Sequence, residues 1–188
     1  MLWHNTYVTS KCVPRINKSA EVLKVIAGKR VIVEDELTTA RSLLSLFGAN
    51  ARRRIIDTVA LLTKQGFVSV GTIEHEKLYK VTDKGVRHLD LYLLSKKGIP
   101  KSRDWNGMWY IVTFEIPDSQ KVTRNYLVTQ LKLQGFVSYA KGLWIYPYDP
   151  VEYVKGLKKL LGLQKEIKLI TASSLDGEGA LKQEFALT

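Results

Sequence analysis

Apolar positions recur along this chain in two rhythms, and the rhythm changes near its middle. The first half is dominated by helical spacing. Val22, Leu23, Val25 and Ile26 supply the buried side of a helix predicted over Ala20 to Ala27, with Ser19 as its cap and Gly28 as its stop. Val31-Ile32-Val33 is a short β-rich stretch. Leu37, Ala40, Leu44 and Phe47 fall on one face of a second helix, predicted over Leu37 to Phe47. Phe47-Gly48-Ala49-Asn50 reads as a tight turn, with Asn50 capping a third helix over Ala51 to Gln65. Ile55, Val59 and Leu62 define the buried stripe of that helix. Phe67 to Val70 and Lys77 to Thr82 then alternate as strands around a polar turn at Thr72 to Glu76, and a further helix is predicted over Lys84 to Leu94.

The second half changes period. Met108 to Glu115 is a strand apolar enough to be central, ended by Ile116-Pro117-Asp118. A helix follows over Ser119 to Gln134, with Leu127 and Leu131 on one face. Val122, Tyr126 and Leu133 form a second stripe suited to another domain or subunit. Strands are predicted at Phe136 to Tyr139 and Gly142 to Pro147, a helix from Tyr148-Asp149-Pro150 to about Leu161, and a strand at Glu166 to Ala172. The order β-α-β-β-α-β is the ferredoxin-like plan. The pattern therefore divides the chain into a basic N-terminal arm (1–17), a first domain (18–94), a polar, basic linker (95–104), a ferredoxin-like domain (105–172) and a tail (173–188) that is either a short helix or an arm.

Composition sharpens this outline. The net charge is +11 over 188 residues, which favours a polyanionic partner. Residues 1–98 hold 17 Lys/Arg against 9 Asp/Glu, whereas residues 99–188 hold 12 against 9, so the excess lies in the first half. The single cysteine, Cys12, excludes an internal disulfide framework and fits a reducing cytoplasm. The first residues lack the apolar run of a signal peptide, and no stretch approaches a membrane span; a cytoplasmic protein with no membrane partner is expected.

Charge and pattern meet at Arg52-Arg53-Arg54. Three cations at a helix start oppose the helix dipole, so local stability does not explain them, whereas a phosphate or base-edge partner does. Helix, turn and second helix with a basic outer face, followed by a hairpin, is the winged helix-turn-helix plan. Helical projection places Arg53, Asp57, Ala60 and Lys64 opposite the buried stripe, with Arg53 the first candidate for reading guanine and Arg52 for phosphate. The predicted DNA-binding set is Lys29, Arg30, Asn50, Arg52, Arg53, Arg54 and Lys64, with His75, Lys77 and Lys80 on the wing. Glu115 and Asp118 are secondary candidates for half of a metal site, set against a helix-capping role for Asp118. No dinucleotide, P-loop or nucleophile-elbow motif occurs, and no cofactor or catalytic residue is expected.

Trp105-Asn106-Gly107-Met108-Trp109-Tyr110-Ile111-Val112-Thr113-Phe114-Glu115-Ile116-Pro117, Leu131-Lys132-Leu133-Gln134-Gly135-Phe136 and Lys141-Gly142-Leu143-Trp144-Ile145-Tyr146-Pro147-Tyr148-Asp149-Pro150 carry a likeness. Through them the chain resembles the PaaX family of bacterial repressors of phenylacetate breakdown. The resemblance implies an α+β protein: an N-terminal winged helix-turn-helix followed by a ferredoxin-like βαββαβ domain, the latter similar to the small CRISPR-associated nucleases of the integration complex. Two departures stand out. Glu115 occupies a place where the family's first ferredoxin strand ends in aspartate, which weakens any carry-over of a catalytic metal. PaaX proteins are also longer at the C-terminus, which puts an acyl-CoA effector in doubt and leaves a small-molecule effector open. The expectation is a homodimeric, sequence-specific repressor of double-stranded DNA, paired through the ferredoxin-like domain. A metal-dependent nuclease or a non-catalytic adaptor in CRISPR-type integration are the alternatives.

Overall fold

The computed structural model describes residues 17–187, so all of the expected N-terminal arm except Asn17 lies outside the described residues. The chain forms two compact units that divide between Gly85 and Val86, ahead of the basic 95–104 stretch.

The first unit opens with α1 (Lys18–Gly28). Its cap is Asn17 rather than Ser19: the Asn17 side chain accepts from the Ala20 amide at 3.2 Å, two residues earlier than the sequence pattern indicated. Strand β1 (Ile32–Val33) leads into α2 (Glu34–Thr39) and α3 (Arg41–Phe47). The single helix predicted over Leu37 to Phe47 is thus two helices. The Thr38 and Thr39 hydroxyls bond back to the Asp35 carbonyl, and Ala40 leaves the helical region at φ −56°, ψ 115°. The bend turns Leu37, Leu43 and Phe47 inward, so Leu43 takes the buried place expected of Leu44, which like Ala40 is only partly buried.

Helix α4 (Ala51–Lys64) follows a turn through Gly48, at φ 64°, and Asn50. Asn50 is left-handed, at φ 59°, and makes no side-chain cap; its carbonyl accepts from the Arg54 amide instead. Strands β2 (Val68–Ile73) and β3 (Glu76–Val81) form a hairpin with Val68 opposite Val81 and Ile73 opposite Glu76. Its turn is only Glu74-His75, both at positive φ, so the strands extend further than the polar 72–76 segment indicated. Strand β1 pairs with β3, Ile32 opposite Tyr79, giving an antiparallel sheet of order β1-β3-β2. Val22, Leu23, Ile26, Leu37, Leu43, Ile55, Leu62 and Val68 close the core between sheet and helices.

Helix α5 (Asp83–Lys97) is capped by Thr82, whose hydroxyl accepts from the Gly85 amide at 3.1 Å. It runs past the predicted end at Leu94; Leu91, and Ile99 just beyond the helix, are buried in the core of the second unit.

In the second unit, β4 (Trp109–Phe114), α6 (Lys121–Leu133), β5 (Val137–Ala140), β6 (Leu143–Tyr146), α7 (Val151–Leu161) and β7 (Ile167–Ala172) follow in sequence. All pairings are antiparallel and the strand order is β5-β6-β4-β7, with β4 inside the sheet as its apolar run required. This α+β arrangement is compatible with the ferredoxin-like plan. Alternation along β4 and β6 separates two faces. Val112, Trp144 and Tyr146 join Leu127, Leu131, Tyr153 and Leu157 of the helices. Trp109, Ile111 and Ile145 face the other way, where α8 (Glu178–Glu184) brings Leu181, with Phe185 and Leu187 beside it. The tail is therefore a structural cover, not an arm.

The proposed second stripe of α6 is broken. Val122 is 84% exposed and Leu133 is exposed, but Tyr126 packs against its own unit's core, and burial raises its hydroxyl pKa.

Candidate nucleic-acid interface

Helix α4 is set by its stripe: Ala51, Ile55, Val59 and Leu62 are buried, which forces Arg53, Asp57, Ala60 and Lys64 to the exposed side. The three consecutive arginines are all exposed but differ in what holds them. Arg54 turns back, and its Nη1 donates to the Phe47 carbonyl at 2.9 Å, an orphan acceptor at the end of α3. Arg53 Nε donates to Asp57 Oδ1 at 3.2 Å. Arg52 has no ion pair among the described residues, and neither has Lys64.

The remaining predicted cations of this unit divide the same way. Lys29 pairs with Glu36 at 2.7 Å, and Lys77 approaches Glu34 at 3.5 Å. Glu34 also accepts from the Tyr79 hydroxyl, so one carboxylate at the start of α2 ties down two residues of β3. Desolvation and this acid together push the Tyr79 pKa well above its ordinary value. Arg30, Lys80 and His75 are exposed, with His75 in the two-residue hairpin turn. Asn50 is exposed, and its role is the backbone turn into α4.

The pairing of these cations with Glu34, Glu36 and Asp57 is what the sequence reasoning missed. Only the spacing of Arg53 and Asp57, four apart on one helix, could have signalled a pair. Glu34 meets β3 across a long stretch of chain, which no local pattern reveals.

In the second unit, Glu115 is exposed at the end of β4 and lines two shallow clefts. One, of about 570 Å³, has Arg124 and Lys141 on its walls; the other, of about 440 Å³, has Lys165, Glu166 and Lys168. Asp118 is fully exposed and lies 3.7 Å from Arg124. It does not cap a helix: it begins a 3-10 turn, Asp118–Gln120, ahead of α6. Among the described residues, no three His, Cys, Asp or Glu side chains come together as a metal site would require. Also among the described residues, no helix is long and apolar enough to cross a membrane.

No curated protein matches the chain. Among solved structures, it is similar to the uncharacterized protein Rv0674 from Mycobacterium tuberculosis at 16% identity and a TM-score of 0.34, over 76% of this chain. The chain spans 58% of the length of that protein. Residues 102–184 match the family model described as the PaaX protein central Cas2-like domain. That match covers β4 through α8, so the likeness to PaaX proteins rests on the second unit.

Proposed function

We propose that the protein is a double-stranded DNA-binding transcriptional regulator, a homodimeric repressor of PaaX type. The observation that carries this reading is the outer face of α4, where Arg53 and Lys64 project with Arg52 beside them, on a helix placed between a tight turn and a hairpin. The order α1-β1-α2-α3-α4-β2-β3, with a β1-β3-β2 sheet, supports reading this unit as a winged helix. In this reading α4 enters the major groove and the β2–β3 hairpin is the wing, with Lys80 toward the backbone. The second domain pairs two subunits and sets the spacing of half-sites on a palindromic operator. Repression follows from occupying a promoter. The domain's PaaX match supports a regulator, and no residue is assigned a catalytic role.

The test replaces Arg52, Arg53 and Lys64 with alanine in the full chain and spares Arg54, which bonds to Phe47. Each phosphate contact contributes roughly 0.9 to the slope of log affinity against log salt. The variant should bind a duplex selected from a random pool far more weakly and with a flatter slope. Unchanged affinity and slope at moderate salt would refute α4 as the contact helix. Cleavage of nucleic acid with magnesium or manganese, lost in Glu115→Gln, would replace this reading with a nuclease.

A further inference from the structure

We infer that Asp57 is a positioning residue that fixes Arg53 for reading a single guanine; the inference rests on α4 being the helix that enters the groove. The two side chains stand one turn apart, 81% and 62% exposed, on the side of α4 opposite Ile55, Val59 and Leu62. Asp57 takes the Nε edge of the guanidinium, with Nε to Oδ1 at 3.2 Å. A guanidinium donates from two edges of a rigid fork. With Nε occupied, the end bearing the two Nη groups is left to donate, and a pair of parallel donors matches the N7 and O6 acceptors of guanine. Neither neighbour is held this way. Arg54 spends its Nη1 on the Phe47 carbonyl, and among the described residues Arg52 has no acid paired with it.

Charge gives this inference a signature that a simple surface ion pair lacks. A carboxylate on a DNA-facing surface repels every phosphate alike, so removing it strengthens binding to any duplex. Removing the carboxylate also frees the Arg53 fork, which weakens only the contact that needs its orientation. Asp57 therefore trades general affinity for discrimination.

The experiment uses the full chain and a duplex selected from a random pool by the wild-type protein, together with its single-base variants and a scrambled duplex. Binding is measured for wild type, Asp57→Asn, Asp57→Glu, Arg53→Ala and the Arg53→Ala/Asp57→Asn double variant. Asp57→Asn should bind the scrambled duplex as tightly as wild type or more so. Its preference for guanine at one position should fall by roughly tenfold, within the range of a bidentate contact. That position should be the one lost in Arg53→Ala. Asp57→Asn should cost no further preference in the Arg53→Ala background, and Asp57→Glu should keep part of the preference that Asp57→Asn loses. An unchanged preference at every position overturns the inference, as does equal weakening on selected and scrambled duplexes, or additive losses in the double variant. A wild-type protein that binds no duplex at low salt sinks the regulator itself, and this inference with it.

Discussion

Gly85→Ala should loosen the first unit at the joint where its hairpin meets α5. A Cβ on Gly85 would stand 2.1 Å from the Phe67 carbonyl oxygen and 2.7 Å from Val81 Cγ1. The first of these is backbone, and it has little room to retreat. Phe67 O accepts from the Thr82 amide at 3.0 Å, the Phe67 amide donates to Leu62 O at 2.9 Å, and the Thr82 hydroxyl is held between Gly66 O and the Gly85 amide. Restoring a normal contact requires a shift of about an ångström, of the kind that costs overpacked interiors ~1–3 kcal/mol. Weakening the Phe67–Thr82 bond adds about 1 kcal/mol. Alanine's better helix propensity returns up to ~1 kcal/mol. The net loss is about 2 kcal/mol, or roughly 30-fold in the equilibrium for local opening. Amide hydrogen exchange of the full chain reads this directly, as faster exchange across α4, β2 and β3. Protection unchanged to within about 0.5 kcal/mol would show that the joint yields freely, and the steric reasoning would be wrong.

Three other outcomes follow from the same structure. Arg54→Ala should lower the stability of the first unit by about 1 kcal/mol through the lost bond to Phe47, yet leave the salt slope of duplex binding unchanged; Arg52→Ala should do the reverse, reducing the slope by about one. Tyr79 ionises less readily when folded, so its contribution to stability is complete below the ordinary tyrosine pKa of 10.0 and falls as the pH rises above it. Exchange protection of β3 should therefore drop above that pH in the wild type, and Tyr79→Phe should abolish this dependence. Leu181→Asp should expose the face of the second sheet that carries Trp109 and Ile145, seen as dye binding and a red-shifted tryptophan emission; an unshifted spectrum would mean that α8 is not the cover.

The helices and strands were legible wherever burial is periodic. Ile55, Val59 and Leu62 marked α4, and the apolar run of β4 marked an interior strand. What escaped was decided by single hydrogen bonds or by residues far apart in sequence. Thr38 and Thr39 bonding back to the Asp35 carbonyl split one predicted helix, although the apolar spacing ran straight through it. Asn17 takes the cap in place of Ser19, two residues earlier, a choice that composition does not register. The 173–188 segment looked weakly structured because its apolar residues, Leu175, Leu181, Phe185 and Leu187, are sparse; their value appears only against Trp109 and Ile145. At the candidate interface, the cations were visible and their restraints were not. Glu34 lies next to Lys77 and Tyr79 only because β1 pairs with β3.

The two-residue turn at Glu74-His75 limits how the hairpin can change over generations. Tyr79 points inward and Lys80 outward, and a slip of one residue between β2 and β3 would exchange them. The arm can therefore lengthen or shorten in pairs of residues without disturbing the tyrosine, while an odd step demands a bulge to restore parity. Variation in reach at this tip is cheap, and variation in which face carries the positive charge is not.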